Sequence, residues 1–347
     1  MRGGESGAPV RQVPIRVTRA IAIVVPVLDD WPSFAALVAD IATQFTRAEL
    51  AIHICVVDDG SLVPFSIEAI RVPPDSCVVS IEVIRLALNL GHQRAIAVGL
   101  CALAESEFDA ILVMDGDGED RPSDIAALLA LSRRHPGSVV LAARAKRSEP
   151  PLFRLCYRLY RLLFRLLTGQ VISFGNFSLL PIAVVRRLIY MPELWNNLPA
   201  SIIRSRLPYV TVPTARGVRI DGKSRMNLVS LIVHGLSALS VQTDMIFVRI
   251  LLAAVVIAVL AGLGIVGVTA IRIFTDLAVP GWATTAVGDL LIILLQTLVI
   301  IVAASLTMLS GRSNRPIVPI VDSQPFIAGR ERHQLSVAAF DAAASGK

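Results

Sequence analysis

Two stretches of the chain, Ile250–Ile271 and Leu290–Gly311, each run for 22 residues without a charged side chain. At about 1.5 Å per residue, a helix of that length crosses the roughly 30 Å hydrocarbon layer of a bilayer. The two stretches therefore read as a transmembrane pair, and the rest of the chain must supply a separate water-facing body. Of the 347 residues, 54% are apolar and 17% charged, against roughly 25% charged in an ordinary soluble domain. That composition excludes disorder and argues against a wholly water-soluble protein. Arg204, Arg206, Arg216, Arg219, Lys223, Arg225 and Arg249 precede the first span and Arg312 and Arg315 follow the second, while the connection 272–289 carries Arg272 alone. Basic flanks mark the cytoplasmic side, so the expected topology is two-span, with the large amino-terminal body and both termini in the cytoplasm. Two spans with so little polarity inside them offer no route for a transported solute unless several copies assemble.

The body shows a different rhythm. Short apolar runs at Ala20–Leu28, Ala51–Val57, Ser80–Leu86, Asp109–Met114 and Ser138–Ala143 alternate with helical spacing at Phe34–Phe45, Arg94–Leu103 and Ile125–Leu131. Strand alternating with helix predicts an α/β fold with a mostly parallel central sheet, whose ligands bind beyond the carboxyl ends of the strands. Residues 1–19 lack an apolar core segment and read as a flexible tail, not a signal peptide. Leu228, Leu231, Ile232, Leu236 and Leu239 share one helical face, which predicts an amphipathic helix lying on the membrane. Arg154, Arg158, Arg161 and Arg165 likewise project from one side of the apolar segment 152–167, which suits a site beside anionic headgroups.

The charges are segregated. Net charge is +6, but 105–124 holds eight acids against one base and 144–165 seven bases against one acid, which does not describe a nucleic-acid binder. Four cysteines without CxxC spacing or a histidine cluster indicate neither zinc nor a disulfide framework. The strand ending at Met114 runs into Asp115, Gly116, Asp117, Gly118, Glu119 and Asp120. Carboxylates at i and i+2 can reach one hard cation, and Mg²⁺ or Mn²⁺ completes its shell with water and substrate phosphates, so the pattern suggests a nucleotide diphosphate held through metal. A calcium loop of the EF-hand type would need Gly where Asp120 stands and Glu where Ala126 stands. The plain alternative is an acidic turn in which Asp120 or Ser123 caps the next helix beside Pro122. Two further strand ends deliver Pro26-Val-Leu-Asp29-Asp30 and Asp58-Asp59-Gly60-Ser61. Neither GxGxxG nor GxxxxGK[ST] occurs. His53, His92 and His234 are scattered, and His92, after Gly91, reads as a turn or core residue.

Taken in order, V-V-P-V-L-D-D, V-V-D-D-G-S, L-N-L-G-H-Q and M-D-G-D-G-E-D resemble the family 2 glycosyltransferases, with their GT-A nucleotide-sugar fold, over roughly residues 20–245. With two closing spans, the chain is similar to the polyprenyl-phosphate glycosyltransferases, relatives of dolichyl-phosphate mannose synthase. The resemblance implies that Pro26, Asp30 and Asp58 line the nucleotide pocket together with Asp115, Gly116 and Asp117. It puts Asp115 and Asp117 on the family's DxD pair, and Glu119 where relatives carry Gln as a further metal contact. Arg144, in A-A-R, matches an arginine that meets phosphate. Arg219-Ile-Asp-Gly-Lys-Ser-Arg225 resembles the R-x-x-G-x-S-K element, so Arg219 and Arg225 would contact donor or acceptor phosphate. Asp115, Asp117 and Arg144 would then carry the catalysis. One departure stands out: near the place where many relatives have a carboxylate discussed as a base, this chain reads Ile172-Ser173-Phe174-Gly175-Asn176-Phe177-Ser178.

The expected organisation is a tail (1–19), a cytoplasmic GT-A domain (20–226), an interfacial amphipathic helix (227–244), a two-helix transmembrane domain (245–311) and a cytoplasmic tail (312–347). The expected activity is metal-dependent, inverting transfer from a nucleotide-diphosphate sugar to polyprenyl phosphate at the cytoplasmic face. Its partners are that sugar, a lipid-linked acceptor and the bilayer, with homo-oligomerisation open. The rivals are transfer to a glycan or glycolipid hydroxyl, and a catalytically silent membrane scaffold of the same fold.

Overall fold

The computed structural model of the chain describes residues 19–46, 50–73, 75–144, 162–169, 174–215, 217, 236–237, 239–275, 281–313 and 315–335. Strands β1 (Arg19–Val27), β2 (Leu50–Asp58), β3 (Val78–Leu86), β4 (Ala110–Val113) and β5 (Val139–Arg144) fall on the five apolar runs. Helices α1 (Trp31–Gln44), α2 (His92–Leu103) and α3 (Ile125–Arg134) fall on the three periodic stretches between them. The runs are apolar at every position because the sheet is covered on both faces. Ala22 and Val24 of β1 join a core with Cys55, Val57 and the α2 residues Ile96 and Leu100, while Ile21, Ile23 and Val25 join the opposite core with Phe34, Leu37 and Ile125. Each fully buried side chain of this size contributes about 1.5–3 kcal/mol. The α2 layer lies so close that a Cβ on Gly99 would sit 2.6 Å from Val24 Cγ1 and 2.9 Å from Val57 Cγ2. Glycine is what lets that helix reach the sheet.

The strand order is β7-β5-β6-β4-β1-β2-β3-β8. β1 pairs in parallel with β2 and β4, and β2 with β3. β6 (Ser178–Pro181) is inserted antiparallel between β4 and β5, and β7 (Tyr209–Thr214) runs parallel to β5 at that edge. Between β6 and β7 lie helices α4 (Ile182–Leu188) and α5 (Leu198–Ser205). The sequence reading had placed none of these four. β6 is too short to show a period, and β7 alternates half-buried and exposed residues along an edge.

The apolar stretches form helices α6 (Thr243–Phe274) and α7 (Trp282–Ser313), packed against each other. In the most apolar window of each, 11% and 6% of residues are buried, the reverse of a soluble core helix, and both helices are long and apolar enough to cross a membrane. The segment after them is more than a tail. A short helix, α8 (Pro319–Asp322), leads into β8 (Ile327–Gln334), which pairs antiparallel with β3 and closes the sheet edge. Both ends of the helix pair are thereby on one side of any membrane they cross. The sequence hid β8 because Ile-Ala-Gly-Arg-Glu-Arg-His-Gln is charged, as suits an edge strand.

Of the arginine-bearing segment 152–167, residues 162–167 are described. Leu162, Leu163 and Leu166 are exposed beside Phe164, which is buried, and Arg249 Nη1 at the start of α6 donates to Leu166 O at 2.6 Å. Arg154, Arg158 and Arg161 lie outside the described residues, as does most of 227–244.

Candidate active site at the carboxyl ends of the strands

Three strand ends meet here and hold one another. The Asp59 N–H donates to Val27 O at 2.8 Å, joining the turn after β2 to the end of β1. Asp29, at φ +47°, donates its N–H to Ser61 Oγ at 2.9 Å and accepts the Leu62 N–H on Oδ1 at 2.7 Å. Asp58 Oδ1 accepts the Ser61 N–H at 2.8 Å. Asp59 accepts from Leu90 N–H on Oδ1 at 2.7 Å and from Gly91 N–H on Oδ2 at 3.0 Å, fixing the loop that enters α2. Burial pushes the Asp59 carboxyl up from its ordinary range, and those two backbone donors pull against it. Gly60, at φ +82°, lies where a Cβ would stand 2.9 Å from Asn89 N, so the turn needs glycine for both reasons.

The acidic turn after β4 is arranged differently. Asp120 is buried and its Oδ2 accepts the Asp115 N–H at 2.9 Å, so it closes the turn; neither it nor Ser123 caps α3, whose N-cap is Asp124. Asp117 Oδ1 accepts the Glu119 N–H at 3.0 Å. Asp115, Gly116, Asp117 and Glu119 are half-buried, and Gly116 lies against Val25 and Val27 at the end of β1. Gly217, from the segment leading to Arg219, donates its N–H to Glu119 O at 2.8 Å.

A chain of side chains reaches Asp115 from the other side. Leu198 N–H, in the first turn of α5, donates to Gln93 Oε1 at 2.9 Å, and Gln93 Nε2 donates to Asn176 Oδ1 at 2.9 Å. Asn176 Nδ2 stands 2.9 Å from His92 Nε2, which is 3.1 Å from Asp115 Oδ1. Desolvation favours the neutral imidazole, but Asp115, aided by Asp117 and Asp120, outweighs it and raises the His92 pKa above its usual value. His92 was read as a turn or core residue; its place at the start of α2, straight after the loop that Asp59 holds, was the available signal.

The other expected residues are placed as follows. Pro26 is buried in β1 opposite Val57, and Asp58, 1% exposed, ends β2. Asp30 precedes α1, its carbonyl accepting the Phe34 N–H. Arg144 ends β5 opposite Thr214. The side chain of Arg144, and Ser173, Arg219 and Arg225 altogether, lie outside what is described.

Asp115, Asp117 and Glu119 offer only hard oxygen donors, the set that Mg²⁺ or Mn²⁺ takes. Among the described residues no three acid, histidine or cysteine side chains converge at ligating distance. The donor set fits a cation held by one or two carboxylates and completed by substrate phosphates, the usual build of a Mg²⁺ site.

Residues 22–178 match the family model described as Glycosyl transferase family 2. The chain is 26% identical over 222 residues to an undecaprenyl-phosphate 4-deoxy-4-formamido-L-arabinose transferase of Yersinia pestis (strain Pestoides F), covering 62% of this chain and 64% of that one. The figures are the same for the transferase of that name from Yersinia pseudotuberculosis serotype O:3 (strain YPIII). The chain thus spans 64% of the length of these relatives. Among solved structures it is similar to glucosyl-3-phosphoglycerate synthase from Mycobacterium tuberculosis in complex with Mn²⁺, UDP-glucose and phosphoglyceric acid, with a TM-score of 0.47 and 16% identity over 66% of this chain and 80% of that one. It is also similar to mannosyl-3-phosphoglycerate synthase from Rubrobacter xylanophilus, with a TM-score of 0.45 and 16% identity over 64% and 72%. With its mostly parallel α/β sheet and its four motifs in register, the segment 22–178 matches the family 2 glycosyltransferases with their GT-A fold, in a chain that resembles the polyprenyl-phosphate glycosyltransferases.

Proposed function

We propose that this chain is a membrane-anchored, metal-dependent, inverting glycosyltransferase that moves a sugar from a nucleotide-diphosphate sugar to polyprenyl phosphate at the cytoplasmic face. The observation that carries the reading is the half-buried Asp115–Glu119 turn, set at the carboxyl ends of a sheet whose edge strand β8 directly follows two lipid-seeking helices. The acidic turn and the strand that follows the two apolar helices thus belong to one sheet. The curated relatives, named as undecaprenyl-phosphate transferases, support a lipid-phosphate acceptor.

Pro26, Asp30 and Asp58 would line the nucleotide pocket with Asp115, Gly116 and Asp117. Asp115, Asp117 and Glu119 would hold Mg²⁺ or Mn²⁺, which when bound neutralises charge on the departing diphosphate. The acceptor phosphate oxygen forms a bond to the anomeric carbon from the face opposite the diphosphate, the old C–O bond breaks, and its electron pair leaves with the nucleoside diphosphate. No proton needs removal, because a lipid phosphate is already an anion at neutral pH. Asn176 fits this: its amide is held between Gln93 and His92, and an amide cannot serve as a base. Arg144, Arg219 and Arg225 would bring the acceptor phosphate into line. Gly217 supports that role for Arg219, since it ties the chain two residues upstream to the acidic turn. The basic flanks Arg249, Arg312 and Arg315, against the single Arg272 between the helices, support a cytoplasmic catalytic side.

The test is to incubate the purified full chain, in lipid nanodiscs, with labelled nucleotide sugars, polyprenyl phosphate and Mg²⁺ or Mn²⁺. A labelled lipid cleaved by mild acid is expected, as for a sugar phosphodiester. An acid-stable glycoside would move the acceptor to a hydroxyl, and no transfer from any donor would leave the silent scaffold.

A further inference from the structure

Where α2 ends at Leu103, the amino-terminal parts of β2 and β3 and the last residues of β8 enclose an open cavity of about 250 Å³. It lies away from the acidic turns: His53, in its wall, and Asp58, at the other end of β2, are separated by about 16 Å of strand. One side of the cavity is aromatic, with the rings of His53 and Phe108 at 4.9 Å between centroids. Ser80, opposite His53 in register, sets that imidazole in place through a 2.7 Å contact of its Oγ with Nδ1. The other side is built by β8, so the segment that follows the two apolar helices completes it.

Two arginines of β8 share one acid there. Register puts Arg332 directly opposite Glu82, yet Glu82 Oε1 accepts from Arg330 Nε at 2.8 Å. Arg330 Nη2 is also engaged, donating to Ala102 O at 3.2 Å. Arg332 is left with a 3.5 Å contact from Nη2 to His53 Nδ1, at the outer limit of a hydrogen bond. Burial, and then the charge of Arg332, lower the His53 pKa, so the ring is neutral at neutral pH and is an aromatic surface, not a second cation. Among the described residues that line the cavity, two guanidinium groups thus face one carboxylate. The surplus is one positive charge with spare N–H donors beside a flat apolar wall.

We propose that this cavity is a binding site for a small organic anion, a phosphate or carboxylate on a compact apolar body, with Arg332 taking the anionic head and the Phe108–His53 wall taking the body. Guanidinium donors match the oxygens of either head group, and a few placed polar groups against an apolar wall are the usual build of a small-molecule site. The volume limits the ligand to a single ring or a short chain. The site is independent of the glycosyl-transfer reading, since none of its residues belongs to the acidic turns.

The test is isothermal titration of the full chain in lipid nanodiscs with phenyl phosphate and benzoate, which carry the two head groups of the class, and with inorganic phosphate. Arg332→Gln removes the surplus charge. Arg85→Gln is its control, because it removes an equal charge from the same pair of strands on the opposite sheet face, where Arg85 meets Glu331. At least one of the two aromatic anions is expected to bind the wild type, to bind Arg332→Gln about tenfold or more weakly, and to bind Arg85→Gln within about twofold of the wild type. Binding that Arg332→Gln leaves unchanged belongs to phosphate-binding arginines elsewhere and overturns the proposal, as does no binding at all. An equal loss in Arg85→Gln shows diffuse attraction to a basic edge and overturns it too. Inorganic phosphate that binds at Arg332 as tightly as phenyl phosphate removes the apolar body from the ligand and overturns the proposed class.

Discussion

The two acidic turns of this sheet, Asp58-Asp59 after β2 and Asp115-Gly-Asp117 after β4, look alike in sequence and do opposite work. Asp58 and Asp59 are 1% and 4% exposed, and their oxygens take backbone N–H groups of the DDGS turn and of the loop before α2. Asp59, with both oxygens so engaged, is architecture. In the second turn the architectural duty falls to Asp120, buried behind Asp115, which leaves Asp115, Asp117 and Glu119 half-buried at the crevice. Asp59 gives both carboxyl oxygens to backbone N–H groups and is buried by them; in the second turn Asp120 takes that load and is the buried one.

That contrast can be broken by substitution. The largest expected effect is Asp117→Ala, which should lower kcat/KM by about 100-fold or more, the scale on which transition-state charge stabilisation is lost. Membrane insertion and Tm should change little, and retained transfer in purified protein would contradict the metal role. Gly60→Ala in the architectural turn should do the reverse, costing about 1–3 kcal/mol of stability through left-handed backbone and contact with Asn89. Urea unfolding reads it; an unchanged midpoint would show that the loop yields freely.

A subtler effect separates the turns by pH. The folded-state pKa of Asp59 is raised by burial, so between the unfolded value, about 3.9, and the raised value the folded chain binds more protons than the unfolded one. Stability from this group is full below the unfolded value and is lost as pH rises through the folded value. Asp59→Asn should flatten that decline in thermal scans of the detergent-solubilised protein, although one of the two backbone donors loses its acceptor. An equally steep decline in the variant would assign it to another group. The smallest effect should come from Arg85→Ala on the outer strands. Its 3.2 Å pair with Glu331 is solvent-exposed and contributes roughly 0–1 kcal/mol, so the β3–β8 pairing should persist.

Legibility followed the same division. The five parallel strands and their helices were readable because both-face burial leaves an unbroken apolar run, as in Ile-Ala-Ile-Val-Val of β1. The acids were readable as a set, since a permissive turn after a strand shows in the order of residues. Which acid its own loop would bury was not, because Asp59 and Asp117 differ in what folds back over them. β6 and β8 escaped for lack of length or apolar pattern, and His92, Gln93 and Asn176 escaped because their partner is 83 or more residues away in the chain or on another strand.

The sequence by itself determined the local matters: where apolar runs are long enough for lipid, where strand gives way to acidic turn, and which motifs stand in register. Those depend on neighbouring residues and on the periods of helix and strand. Only the tertiary structure decided that the carboxyl-terminal segment returns past the pair of apolar helices to close the sheet, that Asp120 supports Asp115, and that His92 is brought against it. These are contacts between distant segments, and they exist only once burial has brought the segments together and required their polar groups to find partners.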